Sequence, residues 1–396
     1  MKSKTAKLIL KDGSQYIGES FGAEKSVAGE VVFATGMVGY PEALTDPSFK
    51  GQILVLTYPL VGNYGVPKKE FWESSKIQVS GLVVCNYIDT PSHHAMQTTL
   101  GKWLKKEGIP ALQIKDTRAL TQKLRNEGVS LGKLIAGRNN VAFKNPNLRN
   151  LVAEVSTKEI YEIYPHLVFG SHPKHAPYIR GRRKEGVQTI VLVDCGLKYN
   201  IIRRLVARKF RVMVVPWDTD VTKLDFPFSA VVLSNGPGDP QKAKITIANV
   251  KKIIAKKIPI LGICLGNQIL TLAQGGTTYK LKFGHRSQNQ PVVERRTKNK
   301  IQKCYLTTQN HGFAVNKIPN GFKEWFYNAN DGTNEGIIHE SLPIMSVQFH
   351  PESSPGPLDT DWVFDFFLKK AGIHLTPPSA PLSLPRRGEG GEVEYL

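Results

Sequence analysis

The sequence predicts an α/β protein. Its C-terminal part reads as a doubly wound, mixed or parallel sheet, preceded by a smaller α/β N-terminal domain. Three observations carry this. From residue 189, continuous apolar runs (Thr189–Asp194, Val212–Val215, Ala230–Asn235, Ile258–Ile263) alternate with amphipathic helical patterns (Ile201, Ile202, Leu205, Val206; Ile247, Val250, Ile254). Such alternation marks strands buried on both faces by helices. Residues 1–150 instead carry shorter strands broken by Gly- and Pro-rich turns. A length of 396 residues favours two domains.

In the first domain, Leu8–Leu10 and Tyr16–Gly18 flank the turn Lys11–Ser14 and predict a hairpin. Glu30–Phe33, Gln52–Thr57 and Gly81–Val84 predict further strands. The connection Thr35–Ser48 is rich in Gly, Pro and hydroxyls and too long for a hairpin, which suggests a functional loop. Leu100, Trp103 and Leu104 share one helical face; Asp116 caps a second helix that Gly128 stops. Gly128–Lys133 faintly resembles a phosphate loop. The spacing is one short, and Leu134 stands where a magnesium-binding hydroxyl belongs, so no ATP site is read here.

Residues 151–188 are assigned to a linker, since 165–188 are rich in Pro, Gly, His and Arg without periodicity. Their His166, His172 and His175 lack metal-ligand spacing and read as solvated. The second domain spans 189–373. After Gly276 it turns β-rich, with strands expected around Tyr279–Leu281, Val292–Glu294, Cys304–Leu306, Gln309–Val315 and Ile344–Phe349, then a helix through Trp362–Leu368. Residues 374–396 are Pro/Gly/Glu-rich, and a disordered tail is expected.

Composition excludes several classes. The four cysteines (Cys85, Cys195, Cys264, Cys304) are widely spaced, which argues against a disulfide framework or zinc knuckle and for a reducing compartment. No secretory h-region and no membrane-length apolar run occurs. The net charge of +20 is spread over helix faces and loops. It predicts a solvated basic surface rather than a nucleic-acid stripe.

Chemistry concentrates at Gly262-Ile-Cys264-Leu-Gly266. A strand, a tight turn and a helix meet there, as in a nucleophile elbow. The helix N-terminus favours negative charge on the sulfur. Glycines flank it because a side chain would crowd the turn. On this motif alone a nucleophile and a buried core thiol are both open. Asn235–Pro240 also falls at a strand's carboxyl end, where ligands bind in such sheets. A thiol nucleophile needs a base and a group to orient it. His350 and Glu352 stand two apart at the end of a strand, and the pleat's period places them on one side. By spacing alone, a strand-terminal histidine beside a surface glutamate is equally open.

Gly262–Gln268 together with Phe349-His-Pro-Glu352 resembles the class I, triad-type glutamine amidotransferases. Leu233–Pro240, Phe283–His285, Gln309–Val315 and Ser354–Pro357 resemble the small-chain family of carbamoyl-phosphate synthetases. So do Ala34–Tyr40, Leu44–Ser48, Thr57–Pro59, Asp116–Arg118 and Asp194–Asn200. The resemblance covers roughly residues 5–372, in the family's order. It implies Cys264 as nucleophile, His350 as general acid/base and Glu352 as its partner. It implies glutamine contacts at Ser48, Gly236, Gly238, Leu265, Gln268, Asn310, Gly312 and Phe313. The Leu265 N–H and a glycine of Gly236–Gly238 would form the oxyanion hole.

The same resemblance implies hydrolysis of L-glutamine to glutamate and ammonia through a thioester. The ammonia would go to a large subunit making carbamoyl phosphate from bicarbonate and ATP, for arginine and pyrimidine biosynthesis. No metal or cofactor is expected on this chain, ATP and Mg belonging to the large subunit. Neither nucleic-acid nor membrane binding is expected; a higher oligomer of heterodimers is left open. The expected location is cytoplasmic, with a plastid as the alternative. Four positions depart from the family pattern: Asn267, Ser287, Gln290 and Leu358 stand where the family usually has His, Gly, His and His.

Overall fold

The computed structural model describes residues 4–137, 139–165, 176–177, 187–295 and 302–373. His166, His172, His175 and the expected tail from 374 lie outside these. Two sheets organise the chain. In the first, seven strands close into a barrel in the order Lys4–Leu10, Gln15–Ser20, Ala111–Gln113, Gly81–Val84, Gln52–Leu56, Val27–Ala34 and Ser130–Ile135. Closure leaves no edge strand to cap; the sequence reading had the strands but not the barrel. Alternate residues face two cores. Val31, Phe33, Ile53, Val55 and Val83 pack with Leu120 and Leu124 of helix Thr117–Glu127. Val32, Leu54, Leu82 and Val84 pack with Leu100, Trp103 and Leu104 of helix Leu100–Lys106. Thr99 and Asp116 cap these helices through Lys102 N and Ala119 N.

The second sheet has eleven strands, and five adjacent ones run parallel: Arg211–Pro216, Thr189–Asp194, Ala230–Leu233, Ile260–Ile263 and Ile344–Val347. Their period of two divides the core. Ile190, Leu192 and Val232 meet Ile201, Leu205, Val363 and Phe367 of the helices Tyr199–Ala207 and Trp362–Lys370. Val191, Val193 and Val231 meet Val250, Ile253, Ile269 and Leu270 of Lys244–Ala255 and Leu265–Ala273 on the other face. This is the doubly wound arrangement.

Several elements differ from the sequence expectation. The four short strands read between 279 and 315 are parts of two long ones, Thr277–Glu294 and Lys303–Lys317. Register shifts at Lys280/His285 and Ser287/Gln290 break the alternation that would have joined them. Strands Phe322–Asn328 and Asn334–His339 carry no clear alternation and were not read. The segment 151–188 is not all connector. Leu151–Val155 is helical, and Tyr161–Ile163 pairs antiparallel with Arg211–Pro216. Among the described residues no helix is long and apolar enough to cross a membrane.

Candidate active site

Cys264 occupies the turn between strand Ile260–Ile263 and helix Leu265–Ala273, with φ 54° and ψ −101°. A side chain rarely holds that backbone conformation, and such strain collects where a function needs it. The flanking glycines have a measurable cause. A Cβ on Gly262 would lie 2.7 Å from the Gly266 backbone, and one on Gly266 2.4 Å from the Leu233 oxygen. The N–H groups of Leu265 and Gly266 fall in the helix's first turn, where no intrahelical acceptor exists. Cys264 is 1% exposed and lines a buried-walled cavity.

His350 and Glu352 meet by a route other than the expected one. The strand ends at Val347, and His350 makes only an isolated bridge to Thr308. A turn closed by Ser353 N donating to His350 O (3.0 Å) then folds Glu352 back. Pro351 has no N–H to extend the ladder. His350 Nδ1 lies 2.6 Å from Glu352 Oε1, with both side chains fully buried. Nε2 is buried and bonds to no group among the described residues, with the Cys264 sulfur close enough to act on it. Burial opposes charging His350, but the Glu352 carboxylate and the Cys264 sulfur outweigh it, and the pKa is pushed up to about 10. Burial likewise opposes the Glu352 charge; His350 and Lys198 overcome it and hold the carboxyl below its usual range. The sequence reading gave Lys198 no role. Its buried Nζ lies 3.4 Å from Glu352 Oε1 and donates to Ser353 O at 2.5 Å.

The predicted glutamine contacts converge. Ser48, Gly236, Gly238, Gln268, Asn310, Gly312 and Phe313 line one cavity of about 20 Å³ with Cys264. Leu265 follows the sulfur directly. Gly238 holds φ +83°, which favours glycine, and a Cβ on Gly236 would strike the Cys195 oxygen at 2.0 Å. Ser48 arrives from the barrel. Asp46 caps the short helix Pro47–Phe49 through Ser48 N (2.8 Å) and accepts from Asn310 Nδ2 (2.9 Å); Asn235 Nδ2 donates to Ser48 Oγ (2.9 Å). Thr35–Ser48 therefore joins the two sheets at the site. Asp46 and Asn235 lie within stretches the sequence singles out, Leu44–Ser48 and Asn235–Pro240, but their individual bonds show only once the two sheets are placed side by side.

Asn267 lies behind the sulfur, fully buried. Its Nδ2 donates to Gln348 Oε1 (3.2 Å) and its Oδ1 accepts from Ser346 Oγ (2.7 Å). Gln268 Nε2 donates to the same Gln348 oxygen (3.1 Å), which turns Gln348 Nε2 toward Cys264 Sγ at 3.6 Å. The thiol's own acceptor is Asn310 O at 3.7 Å.

His285, His311 and Glu335 bring ligand atoms within 4.8 Å of one another. Their ring nitrogens are already engaged: His285 with Gln309 and Asp331, His311 with Gln309 and the Phe313 carbonyl. An ion would have to displace those bonds, so the group reads as a polar network. Cys85, Cys195, Cys264 and Cys304 are all free thiols.

Comparison with known proteins agrees with this architecture. Residues 8–134 match the carbamoyl-phosphate synthase small chain, CPSase domain, and residues 191–370 match glutamine amidotransferase class-I. Multifunctional protein CAD of Squalus acanthias is 48% identical over 93% of this chain, which spans 16% of that protein. Multifunctional protein URA2 of Saccharomyces cerevisiae is 46% identical over 98%, with 18% of its length spanned. Carbamoyl-phosphate synthase [ammonia], mitochondrial, of Mus musculus is 44% identical over 93%, with 24% spanned. The chain thus covers less than a quarter of these relatives' length. It joins a carbamoyl-phosphate synthase small-chain domain to a class-I glutamine amidotransferase domain, and it belongs to that family.

Proposed function

We propose that this chain hydrolyses L-glutamine and hands the ammonia to a large synthetase subunit that makes carbamoyl phosphate from bicarbonate and ATP. The observation that carries the reading is the buried His350–Glu352 pair beside Cys264, with Nε2 left to serve the sulfur. Cys264 gives its proton to His350 Nε2, and the sulfur attacks the carboxamide carbon. The oxyanion that forms is met by the Leu265 N–H and the Gly236–Gly238 turn. His350, readily protonated at neutral pH, returns the proton to nitrogen as the C–N bond breaks. Ammonia leaves and a glutamyl thioester remains. Water, deprotonated by His350, then releases glutamate and restores the thiol.

A second cavity of about 60 Å³ touches His350 and shares Arg286 and Asn310 with the first; barrel residues from Ala34 to Val61 form its other wall. It supplies a place for ammonia to move on. The chain's own residues complete the hydrolysis without metal or cofactor; ATP and Mg would act on the large subunit. Arginine and pyrimidine biosynthesis are the proposed destinations.

One relative is named for ammonia, so family membership alone leaves the nitrogen donor open. The test uses this chain with its synthetase partner. Cys264→Ser abolishes glutamine-dependent carbamoyl phosphate synthesis and leaves ammonia-dependent synthesis intact. Equal loss of both sinks the assignment.

A further inference from the structure

Glu73 enters neither the sequence motifs nor the mechanism above. It sits in no strand, on the connection between Gln52–Leu56 and Gly81–Val84, and it lines neither cavity. Yet its side chain is fully buried and takes its bonds from the second domain. Oε1 accepts from Arg203 Nη1 (2.8 Å) and from Ser354 Oγ (2.8 Å), and Oε2 accepts from Asn200 N (3.0 Å). The Glu73 carbonyl accepts from Tyr199 N (2.9 Å). Arg203 Nη2 fastens the same segment by donating to Glu70 O and Trp72 O, both at 2.7 Å.

Two routes lead from Glu73 to the turn that carries Glu352. The first runs through helix Tyr199–Ala207, which begins at Lys198 without a side-chain cap. The first N–H groups of a helix need acceptors from outside it. Glu73 supplies them at Tyr199 and Asn200, and its negative charge suits that end of the helix. The helix start in turn holds the turn by its backbone: Asn200 Nδ2 donates to Glu352 O, and Lys198 Nζ donates to Ser353 O (2.5 Å). The second route is direct, through Ser354 Oγ. Ser353 and Ser354 have φ of 61° and 60°, a conformation that side chains seldom hold. A turn strained in this way keeps its shape only where its surroundings over-determine it. Residues 352, 353 and 354 are each tethered, and Glu73 stands behind the tethers.

We infer that Glu73 is a positioning residue for proton transfer: it braces the turn through Asn200 and Ser354, so that the Glu352 carboxylate meets His350 Nδ1. The inference rests on the glutamine-hydrolysis reading. Glu73 forms no part of the Cys264 cavity wall, so its loss falls on the acid/base pair and leaves glutamine binding alone.

The test is a double-mutant cycle of Glu73→Gln and Glu352→Gln in the complex with the synthetase partner, read as glutaminase rate per alkylatable Cys264 and taken in single turnovers where steady-state rates are too slow. Wild-type turnover of L-glutamine checks the hydrolysis reading by itself. Glu73→Gln is expected to lower kcat roughly tenfold, the scale of a lost bond to a charged group, with KM within about twofold and ammonia-dependent synthesis retained. In the Glu352→Gln background the same substitution should cost less than about twofold, because the carboxylate it positions is already gone. A Glu73→Gln protein with wild-type kcat overturns the assignment. So do losses that multiply in the double variant, which mark Glu73 as support for the fold alone. Should Glu73→Gln fail to fold, Ser354→Ala removes one bond and leaves the pair with Arg203 in place. Its kcat should fall about threefold alone and stay level in the Glu352→Gln background. An unchanged kcat alone, or an equal loss in both backgrounds, overturns the assignment.

Discussion

The barrel and the sheet contribute to the site in different ways. The sheet supplies each group that the proposed mechanism uses: Cys264 on the turn after one parallel strand, His350 and Glu352 on the turn after its neighbour. The barrel supplies Asp46 and Ser48, whose work is to hold Asn310 and Asn235 in place. The chemistry proposed above is thus confined to one sheet edge, while the lining of the cavity is shared. Damage to the sheet's residues should appear in kcat, and damage to the barrel's in KM.

Glu352→Gln breaks the comparison most sharply. Removing the carboxylate leaves His350 with burial as its dominant influence, and its pKa falls. The expected loss in glutaminase kcat is on the order of 10²–10⁴-fold, with ammonia-dependent synthesis retained. A kcat near wild type would place the pair outside the chemistry. Lys198→Met comes next. It strands a buried Glu352 beside His350 and should destabilise the fold by about 3 kcal/mol in denaturant titration; an unchanged midpoint would show that His350 alone supports the carboxylate.

Asp46→Ala tests the barrel's side. Its carboxylate holds Asn310 and Ser48, so KM for glutamine should rise roughly tenfold with kcat little changed, since bonds to a charged group are worth ~1.5–3 kcal/mol. A pure kcat effect would erase the division between the two sheets. Asn267→Leu is milder. It removes one of two donors that orient Gln348, and a kcat loss of roughly fivefold corresponds to one neutral hydrogen bond. Stopped-flow alkylation of Cys264 would show whether the sulfur's reactivity moves with it.

The smallest effect concerns pH. Burial opposes charge on His285, but Asp331 and Glu335 raise its pKa to about 9. A pKa raised on folding stabilises the folded state fully below the unfolded value near 6.5, and that stability fades as pH rises through about 9. Tm should therefore fall between pH 7 and 10 by more in wild type than in His285→Asn. Parallel curves would show that the imidazole is not charged in the folded protein.

Buried strands with helical periods between them gave the doubly wound half directly, because burial on both faces leaves an unbroken apolar run. The antiparallel wing was less legible. Bulges near His285 and Ser287 interrupt the alternation by which a strand is read. The Gly-x-Cys-x-Gly turn was legible because its constraint is local: five residues contain both the strain and the glycines that permit it.

By itself, then, the sequence determined the elbow at Cys264, the alternation behind it, and the set of residues that resemble a glutamine site. Tertiary structure decided what those residues face. His350 and Glu352 meet through a turn rather than a pleat. Lys198 stands 3.4 Å from a carboxylate more than a hundred residues away. Asp46 reaches across from the barrel to the sheet, and Arg286 is buried with no carboxylate bonded to it among the described residues. None of these follows from spacing: the turn at His350 replaces the expected pleat, and Lys198 and Asp46 act on groups that distant chain brings close, where the low dielectric of the interior sets the strength of a charge.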